Sequence, residues 1–321
     1  MKYDVIGLGE LLIDFTDYGI SEQGNLVFEA NPGGGPGNML AMLAKLGKRT
    51  ALISKVGNDM LGELLIEALE KSGISTECVF KEQGANTTLA FVHNKEDGER
   101  EFSFYRKPGA DTLLSPDDVK DDLIKSCSIF HFGSLSLTHQ PVREATQRAV
   151  ALARESSRVV SFDPNLRPLL WDSLEDAHQQ IDWGCSVCDI LKIADDELFF
   201  LTGKESNPEG ISFIREKYPQ IRMLLLTKGS GGSEVFYGKH HISCPAFKNV
   251  KTIDTTGAGD TFLGCCLSHV LDFGLDNLSQ RSLDKMLIFA NAAASLLTTK
   301  KGALRSMPEK SEVISLTWYS D

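Results

Sequence analysis

The chain predicts an α/β fold, in which a mostly parallel central sheet is covered by helices on both faces and carries a small β-sheet lid. Two observations carry this. β-rich runs alternate with helical patterns along most of the 321 residues. Two stretches, near residues 15–32 and 86–107, break that alternation and show strand-like runs around turns instead.

The elements follow in order. "YDVIGLG" (3–9) is a strand, and "PGNMLAMLAKLG" (36–47) is a helix with Pro36 near its start and Gly47 at its end. "TALISKVG" (50–57) is a strand. "DMLGELLIEALEKSG" (59–73) is a helix with Leu61, Leu64, Leu65, Ala68 and Leu69 on one stripe and Gly73 as its stop. The alternation resumes with the strand "SIFHFGSL" (128–135), the helix "VREATQRAVALARE" (142–155) and the strands "RVVSFD" (158–163) and "CDILKIA" (188–194). The helix "DDELFFLTG" (195–203) and the strands "RMLLLTKG" (222–229) and "SEVFYG" (233–238) come next. Residues 260–274 then place Phe262, Cys265, Cys266, His269 and Val270 at helical spacing.

In the exceptional segments, Phe102 and Phe104 alternate with Glu101, Ser103 and Tyr105 beyond an Asp97-Gly98 turn. "GISEQGNLVFEA" (19–30) is the second piece. Together they predict an antiparallel flap that excludes water from a site; an edge hairpin or an oligomer contact is the plainer alternative. No repeat and no Pro- or Ser-rich linker divides the chain, so a single domain over 1–321 is expected.

Composition narrows the function. A formal net charge of −11 argues against nucleic acid or an anionic membrane as the main partner, while leaving small phosphorylated ligands open. Apolar residues at 42 % allow a core of useful size without a disulfide framework. The seven cysteines include one C-x-x-C, Cys185 and Cys188, with no second pair at zinc spacing; buried core thiols in a reducing compartment are the plain reading and a redox pair the other. The N-terminus, interrupted by Asp4, Glu10 and Asp14, is neither signal peptide nor membrane span, so a cytoplasmic location is expected.

The glycine-rich stretches carry the chemistry. "GLGELL" has Leu12 where a dinucleotide fingerprint needs its third glycine. "GSEVFYGKH" has one residue too many for a phosphate-binding P-loop and His240 in place of its hydroxyl. "NPGGGPGNML" (31–40) puts glycines before a helix, where a ligand can approach backbone N–H groups and Asn38 offers both donor and acceptor, as a polyol requires. Thr227, Gly229 and Gly232 follow a buried strand, where nucleotide contact and a tight turn are both reasonable.

"TIDTTGAGDTF" (252–262) is the most informative stretch. Gly257, Ala258 and Gly259 precede a helix whose first N–H groups lack intrahelical partners, which makes an anion site. Asp260 in its first turn is either a cap or a catalytic carboxylate. The anion loop and the second acid, Asp254, favour the carboxylate role.

With these pieces placed, the sequence resembles the phosphofructokinase-B (PfkB, ribokinase-like) family of sugar kinases over nearly its whole length. "PGGGPGN" resembles the family's N-terminal sugar signature, "DTTGAGDTF" its C-terminal signature, and "FANAAASLLTTKKGA" its nucleotide and cation segment. "GELLIDF", "EFSFYRKPGADTLL", "IFHFGSLSL" and "DPNLRPLLW" look most like the fructokinase members. The resemblance implies transfer of phosphate from ATP to D-fructose with Mg2+, Asp260 as the base, and backbone N–H groups of Gly257, Ala258, Gly259 and Asp260 as the anion hole. It implies sugar contacts from Asp14, Gly34 and Asn38. It adds Arg106 on the flap and Arg167, positions that line the sugar pocket in fructokinase- and ketodeoxygluconate-kinase-like members. Nucleotide contacts are implied for Thr227 to Gly232 and near Asn291. A monovalent cation, K+, is implied at Asp254 and the carbonyl of Thr256, completed by groups near Lys300, Gly302 and Ser306.

One departure stands out. Many members carry N-x-x-E to order magnesium-bound water and phosphate; here Ala194 replaces the Asn and Glu197 is retained. Lys192, Asp195 or a water then has to compensate. Two alternatives stay open: a sister kinase for 2-keto-3-deoxygluconate, whose carboxylate would suit Arg106 and Arg167, and a catalytically silent sugar- or nucleotide-binding regulator. A flap at an edge also suggests a homodimer.

Overall fold

The computed structural model describes residues 2–94, 100–248 and 250–318. Strand β1 (Val5–Leu8) leads through β2 (Leu12–Ile20) and β3 (Leu26–Gly33) into helix α1 (Gly35–Lys45). Then come β4 (Thr50–Gly57), α2 (Met60–Lys71), β5 (Ile74–Glu82), β6 (Thr88–Asn94) and β7 (Arg100–Tyr105). The middle of the chain forms α3 (Asp121–Lys125), β8 (Ile129–Gly133), α4 (Val142–Glu155), β9 (Val159–Asp163), α5 (Leu174–Val187), β10 (Ile190–Ala194) and α6 (Asp195–Thr202). It closes with α7 (Asn207–Lys217), β11 (Met223–Thr227), β12 (Ser233–Tyr237), β13 (His240–Cys244), α8 (Ala258–Phe273), α9 (Gln280–Leu297) and α10 (Lys310–Trp318).

The large sheet has nine strands in the order β13-β12-β11-β10-β9-β8-β1-β4-β5. From β11 to β5 every neighbouring pair is parallel; β12 and β13 add an antiparallel edge. Successive side chains point to opposite faces, so one strand feeds two cores. Val5, Leu52, Ile129, Ile190 and Leu225 pack with α1, α2, α8 and α9. Ile6, Ile53, Phe130, Phe162 and Leu224 pack with α3 to α7 on the other face. Burying each such side chain contributes on the order of 1.5–3 kcal/mol.

The small sheet runs β3-β2-β6-β7. It is not the antiparallel flap the sequence suggests. β2 pairs antiparallel with β3, and β6 with β7, but β2 and β6 run parallel and join the two hairpins. Phe91 binds them together, stacked on Phe15 at 4.9 Å and edge-on to Phe28 at 5.4 Å. β2 begins at Leu12, which carries Asp14 into the lid itself. The expected Asp97-Gly98 turn lies outside the described residues.

All seven cysteines are free and buried. Burial pushes the Cys185 and Cys188 thiols up, so this C-x-x-C is core packing and not a redox pair.

Candidate active site

A cavity of about 970 Å³ opens beyond the C-terminal ends of β10 and β11 and reaches the lid strands β2 and β3. Its floor is the start of α8. Gly257 caps that helix at φ 78°, and a Cβ there would lie 2.4 Å from the Cβ of Ala303, so only glycine fits. Gly259 and Asp260 fall in the first turn, where the helix has no earlier carbonyl to offer and its dipole is positive. The Ala258 N–H is engaged, donating to the Thr255 carbonyl at 3.2 Å.

Asp260 is held by α1. Asn38 Nδ2 donates to its Oδ2 at 2.9 Å, across a helix contact in which a Cβ on Gly264 would come 2.8 Å from the Met39 carbonyl. Burial and the nearby Asp163 charge push Asp260 up to about 6, with Asn38, Lys192 and Arg167 acting in the opposite direction. The result is a carboxylate that is ionised near neutrality yet a stronger base than an ordinary aspartate.

The lid end of the cavity holds Asp14, Gly34 and Arg167. Burial, then the charges of Asp254 and Asp260, push Asp14 up to about 7, against the opposing Arg167. Gly34 sits at φ 124°, and a Cβ there would meet the Glu10 carbonyl at 2.3 Å. Arg167 is exposed, lines the cavity, and donates to the Leu166 carbonyl at 3.0 Å.

Arg106 is not where the sequence reading put it. It is buried away from the cavity, paired with Asp111 at 2.7 Å and donating to Thr138 Oγ1 at 3.1 Å and the Leu135 carbonyl at 2.9 Å. All three guanidinium nitrogens are committed, since Nε also donates to Asp111 at 2.9 Å. Arg106 therefore buttresses the wall that Leu135 presents to the cavity.

The opposite end is lined by Thr227, Gly229, Gly232 and Asn291. Asn291, on α9, donates to the Cys244 carbonyl at 3.3 Å. Between the two ends lies the first turn of α6. Glu197 Oε2 accepts the Ala194 N–H at 2.8 Å and Oε1 accepts the Leu166 N–H at 2.9 Å. Both bonds come from backbone, so Ala194 loses nothing in holding Glu197 in place. Lys192 is also on the cavity wall, paired with Asp163 at 3.0 Å.

Asp254 staples two loops. Its Oδ1 accepts Thr256 N at 2.9 Å and Thr256 Oγ1 at 2.8 Å, and its Oδ2 accepts Gly302 N at 3.1 Å. The side chains of Lys300 and Ser306 are not brought there: Lys300 Nζ lies 4.0 Å from Glu312, and Ser306 Oγ donates to the Lys301 carbonyl at 2.8 Å. Among the described residues, no cluster of three or more His, Cys, Asp or Glu side chains is arranged to hold a metal.

Three further residues were not picked out from sequence. Glu10 is buried, its Oε1 accepts the Gly35 N–H at 2.8 Å, and burial pushes it up to about 7. Asp163 and Asn165 form the turn after β9, with Asn165 N donating to Asp163 Oδ1 at 3.2 Å. The "DPN" of that turn was the available signal, because Asp and Asn start turns by bonding their own backbone.

The pfkB family of carbohydrate kinases matches residues 3–310. Probable fructokinase-2 of Arabidopsis thaliana is 40 % identical over 313 residues, covering 97 % of this chain and 94 % of that one. A fructokinase with bound ATP from Xylella fastidiosa superposes with a TM-score of 0.89 at 30 % identity, covering 99 % of both chains. A fructokinase from Vibrio cholerae, solved with fructose, ADP and calcium, gives 0.87 at 29 % identity, covering 99 % of this chain and 100 % of that one.

Proposed function

The chain belongs to the pfkB family of carbohydrate kinases, and we propose that it transfers the terminal phosphoryl group of ATP to the 6-hydroxyl of D-fructose. The observation that carries the proposal is Asp260, a buried basic carboxylate fixed by Asn38 at the N-terminus of α8. Attack by a primary hydroxyl requires loss of its proton. As the new O–P bond forms and the bond to ADP breaks, that proton passes to Asp260. The Gly259 and Asp260 N–H groups face the charge on the transferring group. Asp14 and Asn38 position the sugar, and the lid keeps out the water that would otherwise take the phosphoryl group.

Glu197, lining the same cavity with its carboxylate fixed by two backbone N–H groups, would order the water around the Mg2+ that accompanies ATP, and that ion would neutralise phosphate charge. Asp254, which ties the Thr256 and Gly302 backbones together, would hold K+, and that ion would supply positive charge near the anion loop. The whole chain serves as one catalytic domain with its lid. Tyr18, Ile20, Leu26 and Tyr105 of the lid are between 61 and 66 % exposed, and this apolar face supports a homodimer formed lid to lid. Seven free thiols fit a reducing, cytoplasmic setting. Among the described residues no helix is long and apolar enough to cross a membrane.

The test is ADP release measured across fructose, 2-keto-3-deoxygluconate, ribose, tagatose and adenosine. Fructose is expected to give the highest kcat/KM. With Arg106 committed to Asp111, Arg167 is left to meet a substrate carboxylate, so ketodeoxygluconate is expected to be poor. Preference for another sugar overturns fructose as acceptor and leaves phosphoryl transfer standing.

A further inference from the structure

We propose that Lys192 is a catalytic residue that contacts the γ-phosphoryl group of the nucleotide and supplies the donor that Ala194 cannot. The inference rests on the kinase reading above and assigns a role within that site. Lys192 ends up there for a structural reason. It lies near the C-terminal end of β10, three residues before α6 begins at Asp195, on the central sheet's cavity rim. It is only 5 % exposed, yet it lines the cavity, so the little surface it shows is turned to that space.

Its position relative to the anion loop is close. A Cβ on Gly259 would sit 3.1 Å from Lys192 Nζ, so the ammonium lies against the backbone whose N–H groups begin α8. Asp163 Oδ1 holds Nζ from the β9 side at 3.0 Å. An ammonium has three N–H groups, and Asp163 takes one. Burial works against the charge on Lys192, but Asp163, Glu197 and Asp260 together hold its pKa above the ordinary lysine value. The cation is thus fixed, desolvated and permanently charged beside the helix N-terminus, which is where a lysine acts on phosphate as a point charge.

A purely structural role is the competing account, in which Lys192 only neutralises buried Asp163. The two differ in what they predict for nucleotides with and without a γ-phosphate. Binding is measured by calorimetry with Mg2+ and either ADP or the non-hydrolysable analogue AMP-PCP. Lys192→Met is expected to weaken AMP-PCP by about tenfold to a hundredfold, the size of a charge-assisted hydrogen bond, and ADP by less than about twofold. Asp163 is left unpaired in that variant, so Lys192→Met/Asp163→Asn is measured beside it. The double variant is expected to keep the selective loss of AMP-PCP affinity. Equal losses for both nucleotides, no loss for either, or recovery of AMP-PCP affinity in the double variant overturns the proposal. These readouts need no sugar. An inactive wild type with fructose would overturn the acceptor assignment and leave Lys192 to be judged on nucleotide binding alone.

Discussion

At the residue scale, burial raises the proton affinity of the site's carboxylates. Asp260 at about 6 and Asp14 at about 7 bind protons more tightly folded than unfolded. The sign follows: the folded state holds the extra protons between the unfolded value near 4 and the folded value, so these groups cost stability as pH rises through that window. Asp260→Asn is therefore expected to stabilise the fold at pH 8 by on the order of 2–3 kcal/mol and to give no such gain at pH 4. Urea melts at the two pH values check it, and a loss at pH 8 contradicts it. Activity runs the other way. Because the base must be ionised, kcat/KM for sugar is expected to fall as pH drops through about 6, and a flat profile down to pH 5 would remove Asp260 as the titrating group. Arg106→Ala leaves Asp111 buried and unpaired, which costs about 3–5 kcal/mol. A variant with an unchanged melting temperature and only a raised sugar KM would return Arg106 to the pocket.

At the element scale, the packing makes its own prediction. A Cβ on Gly184 of α5 would lie 2.5 Å from the Phe162 ring, and Phe162 stacks on Phe132 at 4.7 Å. Gly184→Ala is expected to destabilise by about 1–3 kcal/mol through overpacking, despite alanine's better helix propensity. An unchanged denaturation midpoint would show that the rings can yield. The strands buried in the main sheet and the helix at 142–155 were legible because period and punctuation agree there. α5 and α9 were missed although Ser173 and Ser279 accept from the N–H groups of Asp176 and Ser282 as helix caps. The parallel β2–β6 pairing was not legible, because strand direction in a sheet is set by distant connections and not by side-chain period. The same limit applied to Arg106: it directly follows β7, but its partner Asp111 is fixed by the turn after that strand. Asp260 and its anion loop were legible because both lie in one contiguous run of sequence.

At the scale of the whole molecule, the small sheet both lines the cavity and exposes Tyr18, Ile20, Leu26 and Tyr105. If copies pair through it, Ile20→Asp/Leu26→Asp is expected to elute as a monomer in light-scattering chromatography while the wild type elutes as a dimer. A monomeric wild type contradicts the lid-to-lid arrangement. The central claim is narrower: a buried carboxylate at a helix N-terminus takes the proton of a sugar hydroxyl. Its most direct test is ADP release by Asp260→Asn with D-fructose at pH 8, alongside fructose binding to the same variant. Turnover is expected to fall at least about a hundredfold while fructose affinity stays within a few-fold of the wild type. A folded variant that turns over at near the wild-type rate would contradict it.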